Sequence, residues 1–165
     1  MAIRPILRYP DPRLRQQTAA VTQFDTALAA LATDLLDTMR AAPGVGITGP
    51  HIGVAQRLTV LELDGPASTK IYVNPSLIWQ SEEAARHMEG SVSMPGIAEE
   101  VERPARIRIA YQDLNGQPHE EAAEGFLATC LLHEIDQLDG IFWIFRLSRL
   151  KRDRLLKRYG KLQGG

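Results

Sequence analysis

Cysteine is almost absent, with Cys130 the only one in 165 residues. A single thiol rules out an intramolecular disulfide and any multi-cysteine metal site. Aromatic residues make up only 6% of the chain, and no apolar run nears the roughly 18–20 residues a membrane-spanning helix needs, so no membrane partner is expected. Nor does a long apolar stretch follow Met1-Ala2-Ile3-Arg4-Pro5, as it would in a secretory leader. The expected compartment is therefore cytoplasmic. Net charge is also nearly absent, at −1, but it is unevenly spread. Residues 146–165 hold eight Lys/Arg and one acid, Asp153, for a net +7, which leaves −8 on residues 1–145. A basic tail on an acidic body suits contact with a polyanion. On charge alone, a solvated helix face is the default.

Hydrophobic residues make up 44%, enough for one domain spanning 1–165 with a real core, and there is no repeat or linker to divide it. Asp25 is placed to cap a helix carrying the stripe Leu28, Leu31, Leu35 and Met39, which should stop before Pro43-Gly44. Leu58–Leu63, Lys70–Val73 and Ile107–Tyr111 read as short strands. Asn115-Gly116 signals a hairpin turn, with a return strand near His119–Ala123. Phe126–Leu138 reads as a helix apolar on most sides and hence buried, and 148–162 as a basic C-terminal helix. The sum is an α+β fold, with antiparallel sheets around one buried helix.

The second half of that helix carries His133-Glu134-Ile135-Asp136-Gln137. Residues i and i+4 share a helix face. Two histidines there would chelate a metal, and the intervening glutamate would act as base toward metal-bound water. Gln137 replaces the second histidine, and a neutral amide oxygen is a poor ligand for Fe²⁺ or Zn²⁺. Alone, a buried His–Glu pair need only satisfy itself. Two other segments bear on it: Gly44-Val45-Gly46-Ile47-Thr48-Gly49-Pro50-His51-Ile52-Gly53 and Glu89-Gly90-Ser91-Val92-Ser93-Met94-Pro95-Gly96. Taken singly, both are turn-rich loops. The first lacks the Lys-Ser/Thr ending of a nucleotide loop.

In this order and spacing the three segments resemble the motifs of the peptide deformylase family, Gly-x-Gly-Leu-Ala-Ala-x-Gln, Glu-Gly-Cys-Leu-Ser and His-Glu-x-Asp-His. The resemblance extends to Ile6–Leu14, Tyr72-Val73-Asn74-Pro75 and Asp139-Gly140. It implies a hydrolase that removes the formyl group from the N-terminal methionine of new chains. It also implies Fe²⁺ or Zn²⁺ held by a cysteine and two histidines, with Glu134 as base and Gly46 and the Val92 N–H in the catalytic region. Val45, Glu89, Gly90 and His133 fall in the substrate pocket, and the C-terminal helix falls where the family docks on the ribosome.

The departures fall at the centre. The ligand positions are His133, Ser91 and Gln137, and a serine hydroxyl does not ionise near neutral pH as a thiol can. His51 occupies the place of the glutamine that orients the formyl oxygen. The expectation is no metal or a weakly bound divalent one, and lost or impaired deformylase activity with a formyl-methionyl peptide or similar small molecule as ligand. The enzyme alternative moves the metal to His51, His133 and a carboxylate, Glu134 or Glu89. Otherwise His51 hydrogen-bonds Gln137 or Glu134. A third reading is a ribosome-associated binding module. Cys130 is expected in the core, and His87 and His119 have no evident partner.

Overall fold

The computed structural model describes residues 2–164. Helix α1 (Thr26–Ala41) starts at Asp25, whose carboxylate accepts from the Leu28 N–H, and its apolar stripe is buried as the spacing predicts. Strands β1 (Gly46–Thr48), β2 (Leu58–Leu61), β3 (Lys70–Gln80), β6 (Arg106–Gln112) and β7 (Pro118–Glu124) form one antiparallel sheet in the order β1-β2-β3-β6-β7. Strands β4 (Ala84–Ser91) and β5 (Met94–Pro104) form a separate hairpin. Helix α2 (Gly125–Leu138) and helix α3 (Arg149–Gly164) complete the chain. No helix among the described residues is long and apolar enough to cross a membrane.

Strand periodicity explains how the sheet serves two helices. Successive residues of β2 point to opposite faces. Leu58 and Val60 join the cluster built on α1, with Leu28, Leu35 and Met39. Leu61 joins Tyr72, Ile107, Ile109 and the α2 residues Leu131 and Ile135 on the other face. All four residues of β2 are buried, so the sheet is covered on both sides there. From Ala128 onward every residue of α2 is buried, as its all-round apolar surface requires.

Three departures from the sequence expectations have local causes. β3 runs past Val73 to Gln80, with Pro75 accommodated at a register shift between Val73 and Ser76, since proline cannot donate to the ladder. β1 was hidden in the glycine-rich segment. The Glu89–Gly96 segment, read as a loop, is instead the tip of the β4–β5 hairpin, with Ser91 paired to Met94. Its strands carry few apolar residues, with Met94, Ile97 and Val101 the buried hydrophobic ones of β5. They are held by the antiparallel backbone ladder, to which exposed ion pairs such as Arg86 with Glu102 at 3.5 Å add little.

A buried charge network fixes this hairpin to α2. Arg103 Nε and Nη2 donate to Glu89 at 2.6 and 3.0 Å, and Nη1 donates to Asp136 of α2 at 2.8 Å. Arg146 closes on both Asp136 oxygens at 2.8 Å. The third core cluster packs Met94, Ile97 and Val101 of β5 against Phe142, Trp143, Leu155 and Tyr159, so α3 belongs to the core beneath the hairpin. Removing one partner of a buried pair leaves unpaired charge behind. Arg103→Leu is therefore expected to cost about 3–5 kcal/mol in urea unfolding. Arg108→Leu, which breaks only the exposed Arg108–Glu120 pair, should cost under about 1 kcal/mol. Equal costs at the two positions would show that the network carries no special share of stability.

Candidate active site

An open cavity of about 550 Å³ lies between the glycine-rich segment, the β4–β5 tip and α2. Val45, Gly46, His51, Glu89, Gly90, Ser91, Val92, His133 and Glu134 all line it, so the three sequence segments converge on one place. Gln137 does not. It is buried, and its amide Nε2 donates to the Leu14 carbonyl at 2.6 Å, tying α2 to the N-terminal segment.

The backbone approaches closely where chemistry is expected. A Cβ on Gly46 would sit 2.9 Å from Glu134 Oε2 and 2.7 Å from Leu61 Cδ2, so only glycine lets β1 pass beside the helix carboxylate. A Cβ on Gly49 would meet the Val54 and Gln56 carbonyls at 2.6 and 2.8 Å. That closeness lets Gly49–Ile52 wind into a tight 3-10 turn that places His51 under the cavity.

His133 Nδ1 lies 2.8 Å from Glu89 Oε1. A carboxylate only accepts, so Nδ1 carries the proton and donates. Nε2 lies 3.5 Å from Glu134 Oε1. Burial alone would raise the Glu89 pKa, but hydrogen bonds from His133 and Arg103 hold it well below the usual carboxylate range. Glu134 has no such pair of donors. Burial pushes it up to about 7, opposed by the His133 charge and a long 3.5 Å contact from Thr59 Oγ1. The two carboxylates thus hold opposite roles, Glu89 a fixed anion that orients a ring and Glu134 a group poised to exchange a proton near neutrality.

His51 hydrogen-bonds neither Gln137 nor Glu134. Its Nδ1 accepts from the Thr48 N–H at 2.9 Å, with Thr48 Oγ1 also at 2.9 Å, and its Nε2 is buried without a partner. The physical reason is local. At the third position of the turn, the ring folds back onto the N-terminal backbone, as Glu or Gln does in a capping box. Burial, then the charge of His133, lowers its pKa to about 3.

Residues the sequence reading left unassigned have places here. His87 Nδ1 contacts Thr129 Oγ1 at 2.9 Å, which sets a polar pair behind the cavity wall. His119 contacts Asp113 at 2.8 Å on the far hairpin, away from the site. Cys130 lines the cavity but is mostly buried in α2, and burial followed by the nearby Glu134 and Glu89 charges pushes its thiol up to about 12. Arg103 was missed altogether, and its one signal was an isolated arginine among acids.

The donors do not fit a divalent transition metal. Ser91 Oγ accepts from the Ser93 N–H at 3.0 Å, and the Gln137 amide is committed to Leu14. Among the described residues no group of three or more His, Cys, Asp or Glu side chains is disposed to hold a metal ion. That includes the set His51, His133 and Glu134 or Glu89 of the relocated alternative.

Comparison with known proteins agrees with the motifs. The model of the polypeptide deformylase family matches residues 3–153. A peptide deformylase-like protein of Brucella melitensis is 63% identical over 163 residues, covering 99% of each chain. A peptide deformylase of Afipia carboxidovorans is 43% identical over 164 residues, covering 98% of this chain and 96% of that one. Among solved structures, a peptide deformylase from Synechococcus elongatus in complex with actinonin superposes with a TM-score of 0.92 at 31% identity, covering 97% of this chain and 89% of that one. With sequence, fold and site in agreement, this chain belongs to the peptide deformylase family.

Proposed function

We propose that this chain keeps the family's pocket for an N-formylated peptide end and has lost all or most of the metal-dependent deformylation. The observation that carries this reading is the state of the ligand positions. Of His133, Ser91 and Gln137, only His133 offers a good donor, and Gln137 is turned away to the Leu14 carbonyl. Around them the pocket is kept: Glu134 beside Gly46, His133 oriented by Glu89, and an apolar rim of Val45, Met88 and Phe126, with Met88 57% and Phe126 45% exposed. A pocket that binds substrate without its electrophile lowers no barrier, because catalysis requires contacts stronger in the transition state than in the ground state. Among the described residues no group of three His, Cys, Asp or Glu side chains is disposed to hold a metal, which speaks against a rearranged centre on His51 and His133.

Purified and dialysed protein is expected to hold well below one Fe, Zn or Ni per chain by elemental analysis, and to show little turnover of a formyl-methionyl peptide. Near-stoichiometric metal that resists chelator, with turnover to match, would overturn the reading. Repair tests it from the other side. Ser91→Cys with Gln137→His should raise metal affinity by more than the about 10–100-fold that one supporting hydrogen-bond partner is worth. Neither change alone should do so, and adding His51→Gln should raise deformylation further. A triple variant that folds and binds metal yet stays inactive would mean the pocket itself has diverged.

A second reading, docking on the ribosome through α3, is favoured by how that helix sits. Leu155 and Tyr159 are buried in the core, while Lys151, Arg154, Lys157 and Lys161 are exposed with no carboxylate partner among the described residues. Truncating the helix would strip the core, so charge reversal is the cleaner probe. Replacing those four residues with Glu should abolish cosedimentation with ribosomes, and binding of the unaltered chain should fall steeply as salt rises. Equal pelleting of both forms would show that the face serves solubility alone.

A further inference from the structure

We propose that the His87–Thr129 pair turns the cavity's preference away from an apolar side chain and toward a ligand whose first side chain ends in a carboxamide, as glutamine does. The inference rests on the reading of the cavity as a pocket for formylated peptide ends, and it names the side chain that the pocket selects.

The scaffold builds the pair. His87 and Glu89 stand two apart on β4 and so share one face of the strand. Their partners on α2, Thr129 and His133, stand four apart and share one face of the helix. Two strand residues span about 6.8 Å, and four helical residues span about 6 Å. Strand and helix therefore run in step, and the register that brings Glu89 to His133 also brings His87 Nδ1 to Thr129 Oγ1 at 2.9 Å. The Phe126 ring packs beside the imidazole, with centroids 5.9 Å apart and planes tilted by 59°.

Thr129 is the member of the pair that meets the ligand. The α2 residues lining the cavity are Phe126, Thr129, Cys130, His133 and Glu134, one stripe at helical spacing. A ligand end held beside His133 lies one helical turn, roughly 5.4 Å, from Thr129. An unbranched side chain of glutamine's or methionine's length spans that distance. A threonine inside a helix commonly returns its hydroxyl to the carbonyl four residues back. Here the side-chain partner among the described residues is His87 instead.

The proton can sit on either atom of that bond, and both arrangements suit an amide. If Thr129 donates to Nδ1, the threonine oxygen keeps lone pairs for a ligand N–H. If Nδ1–H donates, the threonine hydroxyl proton is left over for a ligand carbonyl. A carboxamide offers both groups. A carboxylate can only accept, a thioether accepts weakly, and a hydrocarbon tip does neither. An apolar tip therefore seals the remaining capacity of Thr129 away from water without replacing it, which costs binding.

The test is calorimetric titration of the full chain with two peptides. N-formyl-Gln-Ala-Ser carries the carboxamide, and N-formyl-norleucyl-Ala-Ser carries a side chain of similar length that is apolar throughout. The glutamine peptide should bind about tenfold more tightly or better. Thr129→Val, which keeps the shape and removes the hydroxyl, should erase that preference, and Thr129→Ser should retain it. The comparison of peptides on the unaltered chain does not depend on any variant folding. Equal affinities, or tighter binding of the norleucine peptide, would overturn the proposal while leaving the pocket reading intact. A glutamine preference that survives Thr129→Val would overturn it too, and binding of neither formyl peptide would remove both.

Discussion

The Arg103 guanidinium is the contact on which the site's geometry depends. It bonds Glu89 on the hairpin and Asp136 on α2 at once, so it sets the distance between the two walls of the cavity. Glu89, held in place from one side, uses its remaining capacity to orient His133. Arg146, bonded to the same Asp136, extends the network to the segment that leads into α3. Taking these charges out of water is costly, and only a nearly complete set of partners offsets it. The network therefore tolerates little change, and it keeps the walls of the cavity in place whatever side chains stand at Ser91 and Gln137.

Much of this was legible in the sequence, for identifiable reasons. α1 and α2 announce themselves through apolar spacing and an Asp cap, and β6–β7 through alternation around Asn115-Gly116. The hairpin β4–β5 did not, because its apolar residues are few and out of strand register, Met94, Ile97 and Val101 being spaced three and four apart. Of the ten residues named from the three motifs, nine lie around one cavity, because the motifs meet there. Their partners were not legible. Gln137 finds Leu14 across 123 positions and Glu89 finds Arg103 across 14, and no local pattern encodes such pairings. The partner of His51 is only three positions away, yet it escaped notice because the ring accepts from a backbone amide, a role that residue identity alone does not reveal.

The contrast between Glu89 and Glu134 shows how location divides labour between identical side chains. Both are almost fully buried, and both contact the ring of His133. One is neutralised by an arginine and pinned, while the other faces a cavity backed by glycine and is left close to its proton. Two carboxylates on one imidazole ring thus differ in how readily they take up a proton. His87 with Thr129 adds a polar pair at the cavity wall, so the space next to the apolar rim is not uniformly greasy.

Serine at position 91 has a consequence for life under oxidant stress. A metal-bound thiolate in an open cavity is the kind of sulfur that peroxide attacks first, climbing irreversibly toward sulfinic and sulfonic acids. Here the cavity-edge position holds a hydroxyl that peroxide leaves alone. The single remaining sulfhydryl, Cys130, sits mostly inside a helix with its thiol pushed up to about 12, so almost none of it is in the reactive form at neutral pH. The pocket therefore offers peroxide no reactive thiolate, and the sulfur open to oxidation there is the thioether of the exposed rim residue Met88.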